Sequence, residues 1–200
     1  MSAVQLTESE IRAHDTFEAL MWALSRPGRP RTLPKTARPG VLGGMGLIGE
    51  ALLDLETCFW TPDPELAQDL ARSGARQLSP DLAGYVFLPV VDEAGLAVVS
   101  AASVGTMAAP DEAATLVLGC LLGAGVTLRL HGPGVDGQAY VALSGIPQRF
   151  WSLRRQRRRY PLGWDILLVD CRRVVGLPRS TEIEVMGDEA EVDEGRQWLM

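Results

Sequence analysis

The sequence predicts an α/β fold built on a sheet of mixed direction. Three observations predict it. Helical and strand patterns alternate through the first half of the chain, while short strands cluster in the last third. Apolar residues make up 46% of the 200 residues and charged residues 22%, the balance of a globular chain. That length suits one domain of ordinary size, which buries enough surface to need no disulfides. We read residues 1–185 as that domain and 186–200 as an acidic C-terminal extension, with Trp198-Leu199-Met200 available to dock.

The first element is a helix. Thr7 and Glu10 have capping-box spacing, and Phe17, Leu20, Met21 and Leu24 fall at i, i+3, i+4 and i+7 as one buried stripe. Pro27-Gly28 ends it, and residues 29–40, rich in proline and arginine, read as an extended surface loop. Leu47, Ile48, Ala51, Leu52 and Leu55 suggest a second helix, residues 57–60 a short buried strand, and residues 62–72 a third helix with Asp63 and Glu65 at its positive end. Tyr85 to Val91 reads as a strand, and Leu96 to Ser103 fits helix or strand equally. Strands are predicted at 115–118 and 126–130, with Gly119, Gly123 and Gly125 between them. A helix over 147–159 stops at Tyr160-Pro161. Ile166 to Val169 and Val174 to Leu177 form strands joined by a charged turn, and Thr181 to Val185 alternates like a half-exposed strand.

Composition narrows the function. A net charge of −6 argues against a general nucleic-acid binder. No apolar run is long enough for a membrane span, and the first residues lack a signal pattern, so a cytoplasmic location is expected. Three scattered cysteines, Cys58, Cys120 and Cys171, suggest a reducing compartment and buried thiols. They, His14 and His131 lack metal-ligand spacing, so no metal is expected. Lys35 is the only lysine, against eighteen arginines.

Several motifs invite a chemical reading. Gly44, Gly46 and Gly49 match G-x-G-x-x-G and open a predicted helix, and Asp63 lies near the distance at which the fingerprint places an acid. That fingerprint needs a preceding strand to deliver a pyrophosphate to the helix N-terminus. The stretch before it carries Pro34 and Pro39, so a flexible helix entry is the expectation. Neither a Walker A loop nor a G-x-S-x-G elbow is present. Five arginines at 154, 155, 157, 158 and 159 form either a solvated helix face, paired with the acidic tail, or a binder of phosphate or acidic partners. His131-Gly132-Pro133-Gly134 reads as a plain turn or an anion nest. Leu177 to Thr181 reads as a turn or as a ligand or subunit contact.

An ordered set of segments resembles one known family. Phe17 to Gly28 resembles the opening helix and proline–glycine stop of PhnH, the H subunit of bacterial carbon–phosphorus lyase. Gly105-Thr106, Pro110 and Ala114-Thr115-Leu116 resemble its G-T…P…A-T-L segment, and Leu130 to Val135 its L-x-G-x-G-I segment. Tyr160 to Asp165 followed by Leu177 to Thr181 resembles its P-L-G-x-D…P-R-T-T block, with Ser180 in place of one threonine. The matches extend from about Ala13 to Val185. The arginine run and the glycine triplet are departures from the family pattern.

The resemblance implies a three-layer α/β/α fold similar to the large domain of pyridoxal-phosphate-dependent transferases, and a homodimer. It implies a subunit that works with subunits G, I and J. Together with an ATPase-like subunit, G, H and I attach methylphosphonate to the ribose of ATP and expel adenine. Pyridoxal phosphate itself needs a Schiff-base lysine on a folded element, and Lys35 sits in the proline–arginine loop, so no cofactor is expected. The scattered cysteines equally exclude the radical cluster that C–P cleavage requires.

Candidate binding or interface residues are Arg26, Asp165, Arg179 and Thr181, with Asp165 orienting Arg179 or a ligand hydroxyl. Gly28, Gly105, Gly132, Gly134, Pro161, Gly163 and Pro178 are expected at structural turns. The alternative for the four candidates is an ion pair with turn residues. Three functional readings stand: a helper subunit with a ligand pocket, a stand-alone enzyme on a phosphate-containing ligand, and a scaffold that only docks subunit J.

Overall fold

The structure of the protein, a computed structural model, describes residues 6–186. The acidic tail from 187 onward, with its docking residues, lies outside them.

Helix α1 (Glu8–Ser25) begins where its capping box predicts. The Thr7 hydroxyl accepts from the Glu10 N–H at 3.2 Å, and the Glu10 carboxylate accepts from the Thr7 N–H at 2.7 Å. Its buried stripe differs from the expectation. Thr16, Leu20 and Ala23 face inward, whereas Phe17 and Met21 are about half exposed, at 47% and 53%. The reason is close approach: a Cβ on Gly176 would lie 2.6 Å from the Ala23 backbone, so only short side chains fit beneath the helix.

After the two-residue strand β1 (Arg31–Thr32) comes α2 (Gly40–Leu52), which starts earlier than its apolar periodicity suggests. The glycine triplet therefore lies inside a helix. Pro39 is the N-cap residue and makes no side-chain capping bond. No strand leads directly into α2, which removes the dinucleotide reading. Three of its glycines are there for contact. A Cβ on Gly43 would fall 1.9 Å from the Arg38 carbonyl, on Gly44 2.1 Å from the Cys171 carbonyl, and on Gly49 2.1 Å from Leu70.

Next come β2 (Cys58–Trp60), α3 (Pro64–Ala71), β3 (Arg76–Gln77) and β4 (Tyr85–Leu88). The ambiguous segment at 96–103 belongs to α4 (Glu93–Ala101). Then follow β5 (Thr115–Gly119), β6 (Leu121–His131), β7 (Ala139–Ser144) and α5 (Gln148–Arg157). The hairpin of β8 (Asp165–Asp170) and β9 (Arg173–Leu177) precedes β10 (Glu182–Met186). Strand β6 is longer than predicted, because Gly123 and Gly125 take φ near +100° and form a bulge inside it instead of ending it.

Seven strands form one sheet in the order β1-β9-β8-β5-β4-β2-β3. Five of them (β8, β5, β4, β2 and β3) are parallel, while β9 and β1 join by antiparallel pairing. The mixed sheet is thus as the sequence predicts. Its central strands are apolar without alternation because both faces are covered. Phe87, Val117, Leu167 and Val169 face helices α1–α3. Val86, Leu88, Leu116, Leu118, Ile166 and Leu168 face the other side. That second layer is not helical alone: α4 and α5 share it with a three-stranded antiparallel sheet, β10-β6-β7.

The β8–β9 turn is tied to β6 by Asp170. Its carboxylate accepts from the Leu122 N–H at 3.1 Å and pairs with Arg173. Burial pushes this carboxyl up, but the Leu122 bond and Arg173 outweigh burial, and the net effect is below the ordinary value. Cys171, at the same turn, is exposed at φ +53°, which corrects its reading as a buried hydrophobe. Cys120 is buried, Cys58 half-buried and His14 exposed.

Two outcomes follow from these contacts. Gly44→Ala drives a methyl into a carbonyl and destabilises by about 1–3 kcal/mol, whereas Gly46→Ala stabilises by up to about 1 kcal/mol, since a Cβ there meets nothing within 4 Å. Denaturant unfolding of both variants checks the contrast. Asp170→Asn lowers stability by about 1–3 kcal/mol at neutral pH. A carboxyl lowered by folding contributes above its ordinary range and loses that contribution in acid, so the gap to the parent chain closes below about pH 4 in thermal melts.

Candidate functional site

Three of the family-like segments, far apart in sequence, meet in space. Asp165 opens β8, and Arg179 follows β9 by two residues. The Arg179 backbone N–H donates to Asp165 Oδ1 at 2.7 Å, and its Nε and Nη2 donate to Oδ2 at 3.1 and 2.7 Å. Its Nη1 reaches the Pro110 carbonyl and, at 3.5 Å, the Pro161 carbonyl. One guanidinium thus gathers the G-T…P segment, the P-L-G-x-D block and the P-R-S-T turn. Burial of the pair, with 17% of the Arg179 and 26% of the Asp165 side chain exposed, raises its worth above that of a surface pair.

The surrounding turns have the backbone shapes such a junction needs. Gly105 takes φ +77°, and a Cβ there would lie 2.9 Å from the same Pro110 carbonyl. Gly163 takes φ +138°, and its N–H donates to the Val104 carbonyl at 3.1 Å. Pro161 follows a cis peptide bond. Pro178 closes the next turn, its carbonyl accepting from the Thr181 N–H at 2.9 Å. Trp164 is buried between these segments, and its indole N–H donates to the Ala102 carbonyl at 3.3 Å.

Arg154 is the member of this cluster that the sequence reading missed. It belongs to the arginine run, yet it is 3% exposed. Its Nη2 donates to the Pro178 carbonyl at 2.9 Å and the Thr181 carbonyl at 3.1 Å, pinning the turn that carries Arg179. Burial and then Arg158 push its guanidinium down to about 10, which leaves it charged at neutral pH. A signal was present: 154 lies three and four residues after Trp151 and Phe150, both buried on the same helix face. The rest of the run is divided. Helix α5 ends at Arg157, which donates to the Ser100 carbonyl at 3.0 Å, while Arg158 pairs with Glu182 at 3.3 Å. The five arginines therefore do not share one helix face.

The other candidates fall in different places. Thr181 is fully buried, and its hydroxyl meets no partner among the described residues. Arg26 is the C-cap residue of α1, and its guanidinium lies over the Trp22 ring at 5.8 Å, with Arg31 over the same ring at 5.4 Å. Gly28 and Gly134 both take positive φ near that helix end, where a Cβ on Gly134 would lie 2.5 Å from the Ser25 carbonyl. Gly132 does the same beside Ser180. His131 pairs with Glu182 at 3.1 Å.

A second feature follows from topology. From β2 the chain runs through α3 outward to β3, and from β4 it runs through α4 the opposite way to β5. Ligand crevices of open α/β sheets form outside the strand ends where such a reversal occurs. There a crevice of about 330 Å³ is lined by Trp60, Leu88, Pro89, Val90 and Val98. The N-termini of α3 and α4 border it, but both are already capped. Asp63 accepts from the Leu66 N–H and Asp92 from the Gly95 N–H, each at 2.8 Å. Two carboxylates at those ends disfavour an anion in the crevice. The strand order that creates it is not readable from the sequence.

The Asp165, Arg179 and Arg154 side chains bond to one another's turns within the chain. The Cys120 thiol is pushed up to about 12, first by burial and then by Asp170, which removes it as a nucleophile at neutral pH. Lys35 is exposed in the loop before α2, on the α1–α3 side of the sheet, so it does not fit a Schiff-base position in the crevice.

Comparison with known proteins agrees with the ordered segments. The profile of the family described as bacterial phosphonate metabolism protein (PhnH) matches residues 5–184. A putative C-P lyase subunit protein, HtxG, from Stutzerimonas stutzeri is 31% identical over 179 residues, covering 88% of each chain. The PhnH subunit of alpha-D-ribose 1-methylphosphonate 5-triphosphate synthase from Rhizobium meliloti (strain 1021) is 29% identical over 185 residues, covering 86% of this chain and 90% of its own. With nine-tenths of its length inside that profile, the chain belongs to the PhnH family.

Proposed function

We propose that the chain is a subunit of a carbon–phosphorus lyase assembly and helps form alpha-D-ribose 1-methylphosphonate 5-triphosphate from ATP and methylphosphonate. The observation that carries this reading is the near full-length similarity to two proteins named as subunits of that chemistry. Its partners in this proposal are the G, I and J subunits and a second copy of itself, in the cytoplasm. Residues 1–185 act as one domain, with the acidic extension beyond. The likeness to the large domain of pyridoxal-phosphate-dependent transferases is a common frame without the cofactor.

The role is that of a helper rather than a self-sufficient catalyst. What supports it is that the chemistry-bearing groups of the motif cluster are spent on the chain itself. Arg179 is held by Asp165 and two carbonyls, and Arg154 by two more. An assembly subunit also needs a docking surface. The exposed side of α1 offers Phe17 and Met21, one helical turn apart, beside Trp22 with its two stacked arginines.

Co-expression with the G, I and J subunits, followed by size exclusion with light scattering, tests the role. The expected result is one large species containing this chain, lost in the double variant Phe17→Asp/Met21→Asp while the isolated variant stays folded. A dimer that ignores all three partners contradicts it.

A further inference from the structure

A cavity of about 650 Å³ opens between α1, α2, α3 and the loop before α2, on the sheet face away from the Trp60 crevice and the second layer. Arg12, Lys35, Arg38 and Arg72 line it, against the carboxylates of Glu50 and Asp69. Arg12 is held by Glu50 at 2.6 and 2.9 Å, and Arg38 by Asp69 and by Glu65 at 2.6 Å. These pairs fix two guanidinium groups in place. Arg72 reaches Asp69 only at 3.4 Å, and Lys35 enters no ion pair among the described residues. Four cations against two carboxylates give the cavity lining an excess of positive charge in a chain whose net charge is −6. Its inner wall is apolar, formed by Leu42, Leu47, Leu53 and Leu70.

Gly46 is the second, independent observation. It faces this cavity from the middle of α2, and a Cβ there would meet nothing within 4 Å. Its neighbours Gly43, Gly44 and Gly49 each have an atom about 2 Å from the missing Cβ, so their lack of a side chain is required by packing. Gly46 weakens the helix and relieves no contact. What it does is keep the cavity open.

We propose that this cavity binds a phosphate monoester of a small organic molecule. Guanidinium and ammonium groups match a phosphoryl dianion, and Lys35 and Arg72 are the cations least committed to protein carboxylates. The leucine wall covers the organic body. The volume lies within the range of small-molecule sites, about 300–1,000 Å³, and is far larger than inorganic phosphate alone would fill. The proposal is independent of the lyase role, because the isolated chain carries every residue it needs.

Isothermal titration of the full chain with AMP and with glycerol 3-phosphate tests it, with adenosine and glycerol as unphosphorylated references. Binding of at least one ester, weakened by salt and absent for its reference, is expected. Lys35→Gln weakens that binding about tenfold, as loss of one charge-assisted contact does. Gly46→Leu abolishes it without lowering the melting temperature. Gly46→Ala, whose methyl has free space, keeps the fold and some binding should the leucine variant not fold. Failure of both esters to bind the folded parent chain overturns the proposal. So does binding that Lys35→Gln and the folded Gly46 variants leave unchanged.

Discussion

One guanidinium joins three of the family-like segments of this chain. Arg179 joins Asp165 on the central strand β8 to the Pro110 turn and the Pro161 turn, and its own backbone N–H completes the carboxylate's shell. Only a planar fork with several donors can serve acceptors from three separate segments, which is why lysine would not substitute here. Arg154 supports the arrangement from beneath by holding the carbonyls of Pro178 and Thr181. Removing one charge of such a half-buried pair leaves the other without its partner.

Much of this was legible in the sequence, and the exceptions share a physical origin. Capping chemistry is local, so the start of α1 was readable from Thr7 and Glu10. So was the hairpin at 165–177, whose two apolar runs flank a charged turn. What escaped depends on what lies opposite. The stripe of α1 shifted to Thr16 and Ala23 because Gly176 lets β9 approach closely. The glycine triplet resembles a nucleotide fingerprint, yet Gly44 and Gly49 serve contacts with the β8–β9 turn and α3. Strand β7 and the type of α4 were settled by tertiary pairing and packing rather than by their own patterns.

The candidate residues show the same division. Asp165 and Arg179 could be singled out from the family-like block, but their mutual contact is a property of the fold. Arg154 was hidden among exposed neighbours, although its spacing from Phe150 and Trp151 marks it as inward-facing. The two sides of the sheet then differ in chemistry. The crevice at the strand reversal is apolar and guarded by two capping aspartates, while the cavity between α1, α2 and α3 is cationic.

Asp165 and Arg179 act as one unit. A double-mutant cycle with Asp165→Asn and Arg179→Gln, read by equilibrium denaturation, tests it most directly. The expected coupling energy is about 1.5–3 kcal/mol, so that the second substitution costs far less than the first. Additive losses, with coupling below about 0.5 kcal/mol, would contradict it.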